Sequence, residues 1–308
     1  MHVTQTNKIC ELRLRSASDN HESSLPSHSR HANSMKTKLK TFFALAAMAV
    51  VFIPQAGAQN NNHTPGTVVS WGSQIIPYVE AGTPFTAIAA GSLHSLAIKN
   101  DKTVVAWGDS YSSKCSVPAS LTGVVAVAAG VDHSLACRTD GTVRAWGDNS
   151  YGQTNIPVGL NNAVAIAAGG YHNLALKGDG TVAVWGLNGG GQSTVPTGLS
   201  NVVMVTAGMA HSLALKNNGT VIAWGANFNG QASVPSGLSN VVAIAAGGWH
   251  SLALKSDGTV VAWGAGIINT GSDPNYGQSI VPAGLTGVVA IAAGWNHSLA
   301  LIESRIIG

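Results

Sequence analysis

Three observations predict an all-β fold made of short repeated blades. A Trp-Gly pair recurs at Trp71, Trp107, Trp146, Trp185, Trp224 and Trp263, with one gap of 36 residues and then four of 39. A His ahead of a Leu-containing run recurs at His94, His133, His172, His211, His250 and His297, 39 apart four times and then 47. From each of the first five histidines to the next Trp is 13 residues. A fixed period of this length marks units that stack on one another, because no single unit can bury its own apolar faces.

Each unit reads as three strands. In the unit around Trp263 these are the apolar run 241–246, bounded by Gly247, then 251–255, then 259–263. Asp257-Gly258 joins the last two as a tight hairpin, and Asp140-Gly141, Asp179-Gly180 and Asn218-Gly219 repeat the signal. The first unit has Asp101-Lys102 in that place, which predicts a distorted or longer turn. A loop follows each Trp-Gly, often with Gly-Gln, and closes on Pro77, Pro118, Pro157, Pro196, Pro235 or Pro282. Proline has no N–H to give to a ladder and suits such a connection. The small residues of the first strand suit the crowded centre of a ring, and the repeated Trp suits the wider gap between blades.

The two ends of the repeat region are complementary. Residues 67–72 form a third strand with no second strand before it. Residues 297–302 form a second strand with no third after it. Together they make one blade, so 67–308 is read as a six-bladed β-propeller closed by shared terminal strands, which removes exposed sheet edges.

Upstream of the repeats, Met35 is followed by Lys36, Lys38 and Lys40, an apolar run 41–53, and the small-residue triplet Ala56-Gly57-Ala58. This is the layout of an export signal, 35–58, cleaved near Ala58. The apolar run is too short for the roughly 20 residues that span a bilayer. Residues 1–34 are polar and aperiodic and read as an upstream leader that translation from Met35 would leave out; 59–66 is a linker. The expected location is secreted, periplasmic or at the cell surface, with no membrane span in the mature chain.

The formal charge of +3 comes from the N-terminal segment. Residues 1–58 hold seven basic against three acidic side chains, which leaves nine basic against ten acidic in the remainder. Nucleic-acid binding draws most of its affinity from neutralised phosphates, so a nucleic-acid partner is not expected. Cys115 and Cys137 are the only cysteines of the repeat region. They leave one disulfide open, against the simpler reading that Cys137, standing where other units have Leu or Ile, is a small buried hydrophobe.

No catalytic residue, metal ligand or cofactor is assigned. Six histidines at fixed spacing could ring a metal, but a residue that recurs once per unit at a strand start more commonly supplies a repeated structural hydrogen bond. The repeated His and Trp residues are therefore read as structural. The serines beside the histidines have no unique Asp to complete a triad, and no phosphate loop or dinucleotide fingerprint is present.

The positions that vary between units are free of the repeat constraint and available for recognition. One class is the pair before each His: Ser92-Leu93, Val131-Asp132, Gly170-Tyr171, Met209-Ala210, Gly248-Trp249 and Trp295-Asn296. The other is the loop after Trp-Gly, with Tyr111, Tyr151, Asn188, Phe228 and, in the last unit, eight inserted residues between Ile267 and Tyr276. Tyr and Trp are rigid, largely apolar interface anchors with one polar end.

The unit Ala-Ala-Gly-x-x-His-Ser-Leu-Ala-Leu-Lys-x-Asp-Gly-Thr-Val-x-Ala-Trp-Gly resembles the repeat of the regulator of chromosome condensation family, over essentially all of 67–302. Its short form, with Gly-Gln and Val-Pro, is most similar to a secreted propeller-type β-lactamase inhibitor of that family. The resemblance implies a propeller of three-stranded blades. It also implies seven blades, so the six counted here mean a narrower ring, an incomplete chain or an unrecognised unit. By the same resemblance both variable loop classes share one face, where Tyr171, Trp249 and Trp295 of the first class and Tyr111, Tyr151, Phe228 and Tyr276 of the second would meet a partner. The bland alternative is that these aromatics cap the ring against water. The combined expectation is a monomeric, secreted, non-catalytic module that binds an unidentified protein, with inhibition of an exported enzyme as a special case. Glycan or cell-envelope binding and a purely structural surface role are the alternatives.

Overall fold

A computed structural model describes residues 83–303. The expected leader, signal and linker, the strand 67–72 and Trp71 lie outside the described residues. Five consecutive blades are three-stranded antiparallel sheets. They are β1 (Phe85–Ala90), β2 (His94–Lys99) and β3 (Val104–Gly108); β4 (Val124–Ala129), β5 (His133–Arg138) and β6 (Val143–Gly147); β7 (Ala163–Ala168), β8 (His172–Lys177) and β9 (Val182–Gly186); β10 (Val202–Ala207), β11 (His211–Lys216) and β12 (Val221–Gly225); β13 (Val241–Ala246), β14 (His250–Lys255) and β15 (Val260–Gly264). The eight inserted residues belong to a short hairpin, β16 (Asn269–Ser272) and β17 (Asn275–Tyr276), and the described chain ends with the two-stranded sheet β18 (Val288–Ala293) and β19 (Ser298–Ile302). The fold is an all-β propeller.

The first strand of each blade is apolar at nearly every position, without the alternation of a half-buried strand. Two effects account for this. In β4, β7, β10 and β13 it is packed between the first strands of the blades on either side, and throughout its second residue is a bulge. In β4 the register slips between Val124 and Ala126, which turns Val125 outward to 40% exposure while Val124 stays buried. The same slip recurs in β10, β13 and β18, with Val203, Val242 and Val289 exposed.

Blade-to-blade packing puts the repeated Trp of one blade on the preceding blade. Trp146 is buried against Leu96, Ile98, Val104 and Leu121; Trp224 and Trp263 repeat the arrangement in later blades. Burying an indole of roughly 150–250 Å² contributes on the order of 4–6 kcal/mol before entropy is counted. Cys137 takes the aliphatic position of its blade, buried beside Leu135, Val143 and Trp185. Both cysteines are free thiols, and burial pushes the Cys137 thiol up to about 11.

The first hairpin turn departs from expectation. Lys102 adopts a left-handed φ of 62°, and its N–H bonds the Lys99 carbonyl at 2.9 Å, as the Gly141 N–H bonds that of Arg138 at 2.9 Å. The turn is neither longer nor distorted. Lys102 accepts the conformation that Gly takes elsewhere, and Asp101 Oδ1 still caps the turn through the Thr103 N–H and hydroxyl at 2.9 and 2.6 Å.

Candidate functional site: a loop face over a histidine belt

Five of the six repeated histidines, His94, His133, His172, His211 and His250, are buried clasps between blades, whereas His297 in the last sheet is only half-buried. His94 Nε2 lies 2.9 Å from Ser134 Oγ, His172 Nε2 3.0 Å from Ser212 Oγ, His211 Nε2 3.0 Å from Ser251 Oγ and His250 Nε2 3.0 Å from Ser298 Oγ. In the third blade Asn173 replaces the serine, and His133 Nε2 meets its Oδ1 at 2.6 Å. Each of these partners in turn donates to one carbonyl of the preceding blade's loop: Ser134 to Lys114, Asn173 to Gln153, Ser212 to Gln192, Ser251 to Gln231 and Ser298 to Gln278, at 2.7–3.0 Å. The Trp indole of the same blade donates to that carbonyl too: Trp146 to Lys114, Trp185 to Gln153, Trp224 to Gln192 and Trp263 to Gln231.

This network fixes the tautomer. A serine hydroxyl that donates to a carbonyl accepts from His, so Nε2 carries a proton, and the burial that disfavours a charged ring leaves Nδ1 without one. Burial pushes the rings down to about 4 at His94, His133 and His250 and about 3 at His172 and His211. A side chain on Gly130, ahead of His133, would strike the imidazole and the Gly169 carbonyl, 2.7 Å from its Cβ. Among the described residues no group of three or more His, Cys, Asp or Glu could hold a metal ion.

Above the belt, the two variable loop classes meet at one end of each blade. The backbone N–H two residues after each Trp bonds the carbonyl of the residue before each His, at 2.8 Å in all five cases: Asp109 to Leu93, Asp148 to Asp132, Leu187 to Tyr171, Ala226 to Ala210 and Ala265 to Trp249. The glycine between them must be Gly; at Gly147, φ 105°, a Cβ would sit 2.6 Å from the Asp132 carbonyl. The pair residues also link blade to blade, as Val131 N–H to the Gly170 carbonyl and Gly248 N–H to the Trp295 carbonyl.

This face carries the expected aromatics, unevenly. Phe228, Tyr111 and Tyr151 are exposed at 87%, 69% and 51%, and Tyr276 at 40%. Tyr171, Trp249 and Trp295 are half-buried, and Trp295 lies over Gly248 of the preceding blade. Tyr151 and Tyr171, one from each loop class, meet edge to face with centroids 5.2 Å apart.

Sequence reasoning misses the polar centre of this face. Lys114 occupies the loop position that is Gln153, Gln192, Gln231 or Gln278 in later blades, and is fully buried. Its Nζ donates to Asp109 Oδ2 at 2.8 Å and Asp132 Oδ1 at 2.6 Å, one carboxylate from each loop class, and lies 5.8 Å from the Tyr111 ring centroid. Burial pulls the ammonium down, but the hydrogen bonds and charges of the two aspartates outweigh it and its pKa is raised. The hydrogen bond from Lys114 holds Asp109 below the carboxylate range. In the next blade the glutamine form of the same device has Gln153 Nε2 on Asp148 Oδ2 at 2.6 Å. Tyr171 is raised, first by burial and then by the Asp132 charge. Aligning the units position by position shows Lys114 as the odd residue out; inspecting the loops only for aromatics does not. The result is one corner, spanning the first three blades, where Tyr111, Lys114, Asp109, Asp132, Asp148, Tyr151 and Tyr171 adjoin.

Comparison with known proteins matches the signature of the Regulator of chromosome condensation (RCC1) repeat to residues 85–113, 124–153, 163–192, 202–231 and 241–278, half of the chain. No curated protein matches. Among solved structures, Prp20p of Saccharomyces cerevisiae, described with its binding to Gsp1p and histones, is 23% identical over 73% of this chain and 70% of its own, with a TM-score of 0.60. The ectodomain of the Physcomitrella patens receptor kinase CR4 is 23% identical over 73% and 61%, TM-score 0.58, and human WBSCR16 is 23% identical over 72% and 73%, TM-score 0.56.

Proposed function

The chain belongs to the regulator of chromosome condensation (RCC1) repeat family, and from that premise we propose that it is a non-catalytic module that binds another protein through its loop face. The observation that supports this most is the concentration of exposed aromatics on one end of the blades, Phe228 at 87%, Tyr111 at 69% and Tyr151 at 51%. Large apolar side chains exposed on positions free of the structural repeat are characteristic of interface anchors. The Lys114 corner adds charge pattern: the two aspartates neutralise the buried ammonium with one carboxylate in excess, and Asp148 adds another. The face therefore offers aromatic stacking beside net negative charge, which suits a partner segment carrying Lys or Arg. That the relative Prp20p is described with protein partners agrees with the reading.

The finer form of the reading is that the module is exported by the signal 35–58 and acts outside the cytoplasm, with inhibition of an exported enzyme as one version. The test is differential capture. Mature chain 59–308 and a Tyr111→Ala, Tyr151→Ala, Phe228→Ala variant of matched melting temperature are used as baits on the native secreted and envelope fractions. A protein held by the first and released by the second supports the proposal. Equal retention by both refutes the face as the site. Retention on a polysaccharide resin by the mature chain alone would assign the face to glycan.

A further inference from the structure

One position of the loop after Trp-Gly carries Lys114, Gln153, Gln192, Gln231 and Gln278, and it is buried in all five blades. The four glutamine amides are held the same way. Each Oε1 accepts the backbone N–H two residues before it, from Tyr151, Gly190, Asn229 and Tyr276, at 2.8–2.9 Å. Each Nε2 is then left to donate.

In three blades the chain supplies the acceptor. Lys114 Nζ meets Asp109 and Asp132, Gln153 Nε2 donates to Asp148 Oδ2 at 2.6 Å, and Gln278 Nε2 donates to the Pro274 carbonyl. The third and fourth blades have lost it. The place of Asp148 is taken by Leu187 in one and by Ala226 in the other. Gln231 Nε2 is buried without a partner. Gln192 is 1% exposed, and among the described residues its Nε2 makes no hydrogen bond. A buried donor left unbonded gives up its hydration for nothing. Two such donors in successive blades call for an acceptor that the described residues do not provide.

The loop face is also stripped of side chains beside Gln192. Gln153 is accompanied by Tyr151 and Tyr171, which meet edge to face; the matching residues beside Gln192 are Gly190 and Ala210. A Cβ added to Gly225 would lie 2.7 Å from the Ala210 carbonyl and 3.0 Å from Gln192 Cα, and one added to Gly190 would lie 3.1 Å from the Ala226 methyl. Leu187, Gly190, Ala210 and Ala226 thus wall a notch, between the Tyr151–Tyr171 pair and Phe228 in blade order, with an amide donor at its base.

The walls decide which acceptor fits. None of them is charged. A carboxylate would surrender its hydration to one neutral amide, and the adjoining loop offers it Asp148 rather than a cation. A peptide carbonyl needs one donor and no counter-ion. Resting on the reading of the loop face as a protein-binding surface, we propose that the notch receives a neutral amide carbonyl of the partner. That oxygen accepts from Gln192 Nε2, as Asp148 accepts from Gln153 one blade earlier.

The test is read at the amide itself. Side-chain amide signals are recorded in ¹H–¹⁵N spectra of the unsubstituted chain, and Gln192→Met and Gln153→Met identify the two signals. The probe is N-methylacetamide, with sodium acetate and methyl β-D-glucoside in parallel at equal concentration and constant ionic strength. N-methylacetamide is expected to move the Gln192 signal at least about threefold further than that of Gln153, whose donor Asp148 already holds. Leu187→Asp, which gives Gln192 the acceptor of the second blade, is expected to reduce the Gln192 shift to the Gln153 level without lowering the melting temperature. The first comparison is made within one unsubstituted chain and does not depend on how Leu187→Asp folds. Equal shifts at Gln192 and Gln153 would overturn the proposal. A larger response to acetate or to the glucoside would also overturn it, assigning the notch to a carboxylate or a sugar. A folded Leu187→Asp chain that keeps the full Gln192 shift would overturn it by showing that the amide faces elsewhere. A silent Gln192, together with release of the partner by the Tyr111→Ala, Tyr151→Ala, Phe228→Ala variant, refutes the notch and leaves the face standing. Equal retention by that variant refutes the face, and the notch with it.

Discussion

The histidine belt and the loop face above it are built from adjacent residues of the same repeats, yet they follow opposite rules. At the belt the five three-stranded blades solve one problem in one way: an imidazole, a hydroxyl or amide and a loop carbonyl join blade to blade, and the variation among them, Asn173 for Ser, keeps the same donors and acceptors. One residue before the belt, Leu93, Asp132, Tyr171, Ala210 and Trp249 share only a backbone hydrogen bond. Repetition marks where the fold constrains the side chain. Divergence marks where only the backbone is needed, and the side chain is left for another purpose.

That contrast can be broken or sharpened by measurements of decreasing expected size. The largest is acid unfolding. The belt histidines are held neutral, with pKa values lowered to about 3–4 from 6.5. The unfolded chain therefore binds more protons as pH falls below 6.5. Their contribution to stability is complete above that pH and is lost toward pH 4, at up to about 1.4 kcal/mol per pH unit for each histidine. A melting temperature that is flat from pH 7 to 8 and falls steeply between pH 6.5 and 4 is expected. A flat profile down to pH 4 would mean that the rings are solvated or already charged.

Next in size is one clasp. His172→Ala leaves a cavity and strips the Ser212 hydroxyl of its donor, a loss of about 3–4 kcal/mol by urea denaturation. Lys114→Met should cost about 1–3 kcal/mol by leaving Asp109 and Asp132 facing each other without a cation. Lys114→Gln, which restores the residue of the later blades, should cost under about 1 kcal/mol. Equal losses for Met and Gln would show that the charge, not the loop shape, holds that corner. The smallest effect has the opposite sign. Lys102→Gly relieves a left-handed side-chain-bearing residue and should stabilise by about 0.5–1 kcal/mol.

Much of the fold is legible in the sequence because the constraint is repeated. The His-to-Trp spacing locates the strands, and Asp-Gly locates the turns. The first turn is misread when a Gly signal is treated as obligatory; Lys102 shows that a cap from Asp101 can hold a non-glycine residue in the same turn. The candidate site is legible only in outline. Tyr111, Tyr151 and Phe228 stand exposed as expected, but the half-burial of Tyr171, Trp249 and Trp295 depends on which neighbour lies above each one. A pattern within a single unit cannot show that. Lys114 escapes notice because a lysine in a loop reads as solvated, and its burial arises only from two aspartates brought in from separate loops.

The most direct test of the central claim measures both rules on one set of proteins. Melting temperature and partner capture are recorded in parallel for the unsubstituted chain, for His172→Ala, and for the triple variant Tyr111→Ala, Tyr151→Ala, Phe228→Ala. The account predicts that the triple variant melts within a few degrees of the parent and releases the partner. It predicts that His172→Ala melts well below the parent and, at a temperature where it stays folded, keeps the partner. A triple variant that loses stability as His172→Ala does, or that retains the partner undiminished, would contradict the division of the molecule into a structural belt and a recognition face.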